Sequence, residues 1–499
     1  MTAALAPAGR QGILPFVYRV GDREDVTAHA GLPLVLETMR ALRLDELVRQ
    51  ELPSPKRKRG YLPAHKLETL ITLFAAGGER IEDVRILSED KGLGVLLGSP
   101  IPSPDALLDF LGQFHDPKAW GERPAEKKAF VPAESFGLVG LDAINREVVT
   151  RGANREQKTA TIDHDGTIVE AHKREAKVAY EGTRGYQPLV AVWAEEDLIV
   201  ADQFRDGNVA GGEDPLTSAK KAFANLPEWI ERRYFRADSA SYYSKLLKWL
   251  VEEKIGFTIS ADMTKELRKV CQAVPESQWV LFEKRQSEQV DIAEVEFTPG
   301  EWSRQAEPLR YAVVRFTPSQ NDLFDAPERK HLAVVSNRRD FTAAQLMRWH
   351  WEKAGTVEHT HRVMKDELAA GTMPSDRFGV NAAWFRINAI AFNILTILKR
   401  RALPENIRTA RPKRLRFEFF TIPAKLVLHG RQLSVRVSAS EERLKVLVEA
   451  RKRLLELHEQ TPSRRRRSAD WRASGQRQGR SPAPASRRKK GAAPETRLA

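Results

Sequence analysis

Ala160-Thr161-Ile162-Asp163-His164-Asp165-Gly166-Thr167 is the stretch on which the reading of the fold turns. From Ala160 onward the pattern has period 2. Thr161, Asp163, Asp165 and Thr167 fall on one face and Ile162 and Ile168 on the other, which predicts a β-strand. Strands are depleted in Asp, so two on one face require a reason. Two more strand-like runs follow, 189–193 and 198–204, separated by Glu195-Glu196-Asp197. A helical segment at 218–224 leads to a strand near 234–237, a helix over 242–253 and a strand at 257–260. Strands first, then β and α in alternation, predict an α/β core.

The flanking segments read differently. Before this core, residues 26–115 have helical periodicity. Leu67, Leu70, Ile71, Phe74 and Ala75 recur at i, i+3, i+4, i+7 and i+8. Ser103, with Pro104 after it and Asp105 in the first turn, starts another helix. About five helices are expected, with a basic loop at Lys56 to Arg59, preceded by a poorly ordered 1–24 carrying a short apolar run at 13–20. Residues 116–157 read as a charged connector broken by Pro132. After the core strands, 264–333 carries β-type fragments at 279–282, 290–297 and 311–316, an inserted strand-rich subdomain. A strand at 332–336 resumes the core, followed by one helix from Thr342 towards Leu368 and another over 381–401. A basic β-like segment (414–438), a charged helix (441–459) and an Arg, Ser, Pro and Ala-rich disordered tail complete the chain. The boundaries are therefore 1–130, helical; 131–263, first part of the core; 264–333, insertion; 334–402, second part of the core; 403–460, a β/helical segment; and 461–499, the tail.

Composition narrows the function. The chain has 499 residues, enough for two to four domains at about 100–200 residues each. Hydrophobic residues are 41% and charged residues 30%, the balance of a globular protein. The net charge is +14, but residues 461–499 hold ten Arg and two Lys against Asp470 and Glu495, so +10 lies in the tail. Such basicity points to a polyanion, most simply nucleic acid; the ordinary reading is a solubilising end. Cys271 is the only cysteine, which excludes intrachain disulfides and Cys-based zinc sites and fits a reduced, cytoplasmic compartment. The first residues carry no signal-peptide pattern. The most apolar run, 387–398, contains Asn388, Asn393 and Thr396, is too short to span a bilayer, and reads as a core helix.

Three acidic positions stand out by context. Asp165 lies in the strand quoted above. Asp238 follows a strand at its carboxyl end, where functional groups collect in α/β sheets. Glu358 lies within the helix after Thr342, where Trp351, Ala354, Glu358, His361, Arg362 and Lys365 fall at helical spacings. Each has an ordinary reading: an edge Asp, a helix cap for Asp238, a surface ion pair of Glu358 with Arg362. Together they suggest more. Carboxylates from two strands and a helix can converge on two divalent cations about 4 Å apart, the arrangement that cuts and joins phosphodiesters. Carboxylate oxygens suit Mg²⁺. Asp163 competes with Asp165 for the first position, since period 2 puts both on one face.

These residues resemble the bacterial insertion-sequence transposases of the DDE class, the branch with a Tyr-Arg-Glu-Lys signature and a β subdomain inserted before the final Glu. The resemblance runs from about Val26 to Arg431. It is carried by Gly60-Tyr61, Gly77-Gly78-Glu79-Arg80 with Asp83, Ile101-Pro102-Ser103-Pro104, Asp163-His164-Asp165-Gly166-Thr167, Gly185-Tyr186-Gln187-Pro188-Leu189, Arg205-Asp206-Gly207-Asn208 and Arg236-Ala237-Asp238-Ser239-Ala240. In the signature register, Glu358 and Lys365 match, while Trp351 and Ala354 stand where the family has Tyr and Arg. The Asp-Gly-Thr match favours Asp165 over Asp163.

The resemblance implies an RNase H-like catalytic core, preceded by an all-α domain that binds terminal inverted repeats or dimerises. It implies Asp165, Asp238 and Glu358 as catalytic metal ligands for two Mg²⁺, with Mn²⁺ able to substitute. Lys365 would hold DNA phosphate, with Arg362 or Arg348 supplying the cation missing at Ala354. It further implies double-stranded DNA as partner, both terminal repeats and target, a homodimer in a synaptic complex, and a nucleoid-associated bacterial protein. Two alternatives fit the same residues: a metal-dependent nuclease on this fold, and a catalytically decayed DNA-binding relative. Of the other candidates, His164, His172, His350, His359 and His361 read as structural or DNA-contacting. Arg232-Arg233, Lys413-Arg414-Arg416 and Arg464 to Arg467 read as solvated charge or phosphate contacts, and Trp384, Phe385, Phe417, Phe419 and Phe420 as core.

Overall fold

The computed structural model describes residues 25–54, 60–124, 129–179, 181–299, 308–318 and 329–463. The apolar run 13–20, the basic loop at Lys56 to Arg59 and the tail with Arg464 to Arg467 lie outside them.

The chain opens with a short strand, β1 (Val26–Thr27), and then the helices α1 (Pro33–Ala41), α2 (Leu44–Glu51), α3 (Pro63–Ala76), α4 (Val84–Glu89), α5 (Lys91–Leu97), α6 (Pro104–Gly112) and α7 (Pro117–Gly121). Proline opens α1, α3, α6 and α7, where its missing N–H is no loss. Ser103 caps α6 through the Ala106 amide, and Gly77 closes α3 in the left-handed region at φ 98°. The expected connector holds instead a long helix, α8 (Phe136–Gly152). Ser135 caps it, and Leu138, Leu141, Ile144, Val148 and Val149 are buried. Its small residues let it lie close to its neighbours: a Cβ at Gly140 would stand 2.3 Å from the Glu51 carbonyl oxygen of α2. Pro132 precedes the helix rather than interrupting it.

The α/β part follows: β2 (Thr159–Gly166), three short strands β3 (Val169–Glu170), β4 (Lys177–Val178) and β5 (Arg184–Tyr186) forming a small sheet, then β6 (Leu189–Trp193), β7 (Leu198–Gln203), α9 (Pro215–Ala224), β8 (Arg232–Ala237), α10 (Ser244–Glu252), β9 (Gly256–Ser260) and α11 (Lys265–Gln272). The segment read as an insertion supplies β10 (Val280–Lys284), β11 (Glu288–Phe297) and β12 (Leu309–Pro318), and the chain returns through β13 (Lys330–Ser336). From β2 to β13, all strands but the short β3, β4 and β5 share one nine-stranded sheet in the order β10-β11-β12-β13-β9-β8-β2-β6-β7. At one end β7, β6 and β2 are antiparallel; β8 and β9 then run parallel to β2. β13 pairs antiparallel with β9, and β12, β11 and β10 continue as an antiparallel meander. β10, β11 and β12 thus extend the sheet rather than forming a separate one.

The last helices cross back over this frame: α12 (Ala343–Trp351), α13 (Val357–Glu367), α14 (Phe378–Arg401) and α15 (Pro412–Leu415). A hairpin, β14 (Ala424–His429) and β15 (Gln432–Val437), takes β1 onto its edge, and α16 (Glu441–Gln460) returns to α1. α14 is the core helix expected from 387–398. Its first 22 residues are buried, between α3, α8 and β7. It is long and apolar enough to cross a membrane, but its apolar window is wholly buried inside the protein. Its polar residues have partners. Asn393 donates to the Asn145 Oδ1 (2.8 Å) and accepts from the Ile199 amide (2.8 Å). Arg386 meets Asp202 at 2.8 Å and Glu134 at 2.7 Å. A buried side chain of this kind is tolerable only when so satisfied.

One expected element is broken. The single helix from Thr342 to Leu368 is two, α12 and α13, separated by a 3₁₀ turn, Glu352–Gly355, and by Thr356 at φ −112°, ψ −86°. Gly355 weakens the helix there, and the Thr356 hydroxyl is drawn to the Asp163 carboxylate and the Lys353 carbonyl. Trp351 and Ala354 therefore do not share a continuous helical face with Glu358. Trp351 packs on Phe282 of β10, with ring centroids 5.3 Å apart, and Ala354 is exposed.

Candidate active site

β2 and β8 lie side by side in parallel, and their register fixes the candidate site. Asp163 stands opposite Arg236 and His164 opposite Ala237, so Asp165 and Asp238 are the next neighbours at the carboxyl ends of the two strands. The residues of β2 divide by face. His164 points away from the aspartates, between Ser218 (2.9 Å) and Ser241 (3.4 Å). Asp163 and Asp165 share the other face, as period 2 requires, but their surroundings differ.

Asp163 is fully buried and fully engaged. Arg236 grips it as a fork, Nε to Oδ1 at 2.6 Å and Nη2 to Oδ2 at 2.8 Å, and the Thr356 hydroxyl donates to the same carboxylate. The third arm of Arg236 donates to the Trp349 carbonyl at 2.6 Å and to Glu352 at 3.0 Å. Burial pushes the guanidinium's pKa down, but these carboxylates raise it overall. Charge-assisted fork pairs of this kind are the strong ones. Asp163 thus joins β2, β8, α12 and the turn before α13, with little left to offer a ligand.

Asp165 is half-buried at the end of its strand. Its Oδ2 meets the Lys353 ammonium at 3.1 Å, and Oδ1 accepts from the Gly166 amide at 2.9 Å. The Asp238 carboxyl is held above the usual carboxylate range, first by burial and then by the charge of Asp165, with Lys353 opposing both. A carboxyl raised by burial and by the carboxylate beside it, with one ammonium opposing, marks a site in want of positive charge. Hard oxygen donors so placed suit a divalent cation such as Mg²⁺.

The remaining candidates lie on or beside α13, which packs over β2 and β6. Glu358 is exposed in the first turn of α13. Among the described residues no three His, Cys, Asp or Glu side chains stand close enough to hold one metal together, so Glu358 is not gathered with the two aspartates. Lys365 is half-buried and its ammonium lies 3.4 Å from the Ile168 carbonyl, just beyond β2. Arg362 is exposed on α13. Arg348 is exposed on α12, 5.3 Å from the ring of Phe282 in β10. His361 is buried, and its pKa is pushed down to about 4 by that burial, against the pull of Asp165.

Two residues of this site escape a sequence reading. Lys353 reaches Asp165 only because the helix breaks, which no period reveals. Arg236 could have been found: it lies two residues before Asp238, on the same face of a strand, as Asp163 does before Asp165. Of the other basic candidates, Arg416 turns inward and Arg232 stays exposed. Arg416 donates to the Phe74 and Ala75 carbonyls at the end of α3 (both 2.9 Å), and Arg232 to Thr159 at 2.9 Å. Trp384, Phe385, Phe419 and Phe420 are core, but Phe417 is 77% exposed, because the chain there winds as a π-helical segment that turns it outward.

Comparison with known proteins completes the description. Curated proteins offer no match to this sequence. Among solved structures, a cryo-EM structure of a piggyBac transposase synaptic complex with hairpin DNA is similar over 91% of this chain and 87% of that one, at 12% identity and a TM-score of 0.44. The family model described as transposase DDE domain group 1 matches residues 18–459, nearly all of the chain. The chain belongs to that family of DDE transposases.

Proposed function

We propose that this protein is the transposase of an insertion sequence. It binds the element's terminal inverted repeats, cuts DNA at each end by metal-dependent hydrolysis, and joins the freed 3′-hydroxyls to target DNA. The observation that carries this reading is the placement of Asp165 beside Asp238 at the carboxyl ends of two parallel strands, with α13 laid across them. The strand order β7-β6-β2-β8-β9, three antiparallel strands and then two parallel ones, supports an RNase H-like core, with 264–333 as its insertion.

Asp165 and Asp238 are the residues that would hold Mg²⁺, with Mn²⁺ able to substitute; Glu358 of α13, which stands apart from them here, would complete a two-ion site only by moving towards them. When bound, such ions polarise a phosphodiester and activate the attacking water or hydroxyl. The chain's own side chains do the rest. The Arg236–Asp163 fork fixes the spacing of β2 and β8, and so of the two ligands that follow them. Lys353 balances the aspartates, and Lys365 holds a phosphate of the bound strand, with Arg362 and Arg348 as further DNA contacts. Pairing two ends requires at least two copies of the chain.

The test is cleavage of a labelled duplex carrying the DNA that flanks the gene, in Mg²⁺, by wild type and Asp238→Asn. Metal-dependent cutting at a defined position, absent in the variant, is expected. Equal cutting by both, or binding without cutting, refutes the proposal. A joined product with added target DNA distinguishes a transposase from a nuclease.

A further inference from the structure

His361 has no use in the fold that its own contacts explain. It is 6% exposed, and neither ring nitrogen has a hydrogen-bond partner among the described residues. Two other histidines buried to a similar degree have both nitrogens engaged: His164 with Ser218 and Ser241, and His350 with Ser260 at 3.0 Å and Thr258 at 3.1 Å. A buried polar group left unpaired is a standing cost, and each such case asks for a missing partner.

The surroundings say what that partner is. Glu358, His361 and Lys365 fall at i, i+3 and i+7 on α13, so they share one face. Lys365 on that face touches the carbonyl just past β2, which turns the face towards the aspartate end of the sheet. The charged groups close enough to act on the imidazole are Asp165, Lys365 and Lys353. A neutral imidazole always offers one N–H donor. Asp165 is already paired with Lys353 at 3.1 Å, so the charge left beside the donor is the Lys365 ammonium; an N–H with an ammonium beside it fits an anion that carries only acceptors, and a phosphodiester is such an anion.

We propose that His361 is a substrate-contacting residue whose ring N–H donates to a non-bridging oxygen of the phosphodiester that is cut. This rests on the transposase reading and assigns one of its DNA contacts to a residue buried before DNA arrives.

The experiment uses the full chain and the flanking-DNA duplex, with the cut position first mapped in Mg²⁺. Binding is then measured by fluorescence anisotropy without divalent metal, on that duplex and on one bearing a single uncharged methylphosphonate at the cut position. His361→Leu is expected to weaken binding about tenfold or more, the factor a hydrogen bond to a charged oxygen carries. The methylphosphonate weakens wild type clearly more than it weakens His361→Leu, in which only the charge of the neighbouring ammonium groups is still lost. His361→Gln, which keeps an N–H donor, recovers part of the loss. Wild-type binding by His361→Leu, or an equal methylphosphonate penalty in both proteins, overturns the proposal; an enclosed water as the ring's partner would give that result. Should His361→Leu melt early, the Gln variant and the methylphosphonate comparison carry the test. Cutting by Asp238→Asn would instead defeat the transposase reading, whereas loss of cutting there with unaltered His361→Leu defeats this inference alone.

Discussion

Replacing Arg236 by Met should destabilise the protein severely, and replacing Asp163 along with it should restore most of the loss. Asp163 is 0% exposed and Arg236 2%. Removing the guanidinium leaves a carboxylate inside the protein with the Thr356 hydroxyl as its remaining side-chain partner, and also strips a donor from the Trp349 carbonyl. Breaking a buried pair from one side costs about 3–5 kcal/mol, because the surviving charge is uncompensated. Removing both charges is different. Well-packed apolar residues of similar volume are often neutral in place of a buried pair. Asp163→Leu with Arg236→Met should therefore fall within about 1–2 kcal/mol of wild type, the remainder being the lost bonds to Trp349 and Glu352. Urea unfolding of wild type, both single variants and the double variant closes the cycle. A double variant as unstable as the sum of the singles would refute the argument, as would an Arg236→Met cost below about 1 kcal/mol, the level of an exposed pair.

Other outcomes follow from the same contacts. His350 is buried with its pKa pushed down to about 3, mainly by desolvation. The unfolded chain therefore binds a proton that the folded one refuses between about pH 6.5 and 3; stability is full above that window and falls as pH drops through it, and His350→Asn should flatten the slope by about 1.4 kcal/mol per pH unit. Gly140→Ala should cost about 1–3 kcal/mol, since its Cβ would meet the Glu51 carbonyl oxygen at 2.3 Å, whereas Gly94→Ala, in α5 with nothing within 4 Å, should gain about 0.5–1 kcal/mol; urea midpoints moving together would contradict both. Arg416→Met should lower stability by about 1–2 kcal/mol through the carbonyls at the end of α3, yet leave the salt dependence of DNA binding unchanged; a shallower salt slope would make it a phosphate contact after all.

Much of the sheet was legible because strand periodicity is local. β2, β6, β8 and β9 lie within a residue or two of where the sequence places them, although their middles are buried on both faces rather than alternately. α8 was missed because its glycines and charges read as a loop, although Leu138, Leu141, Ile144 and Val148 keep helical spacing; only the helix partner at Glu51 explains why glycine belongs there. The break at Glu352–Gly355 was illegible for a related reason. It is set by Asp163, nearly two hundred positions away in the chain, which takes the Thr356 hydroxyl. Lys353 could not be placed without that break. The placement of Asp165 beside Asp238 was legible as two strand ends, but not as a register.

Asp163 and Asp165 are the same residue type, on the same strand and the same face, two positions apart, and their surroundings are opposite. The difference is depth. At Asp163 the sheet is covered, the carboxylate cannot reach water, and only a fixed fork of donors makes it affordable. Once fixed in that way it is structural, since any ligand would have to replace Arg236. At Asp165 the strand is emerging, the side chain is half-buried, and its counter-charge is one ammonium on a turn rather than a clamp. A flexible lysine on a turn can give way to a stronger cation or follow a phosphate in a manner that a triply bonded arginine cannot. The strand therefore places its rigid charge where the fold needs an anchor and its exchangeable charge one step further out, where the proposed function has substrate arrive. That gradient explains why the functional groups of such a sheet gather at its carboxyl end, and why the buried fork beneath them is the part least open to change.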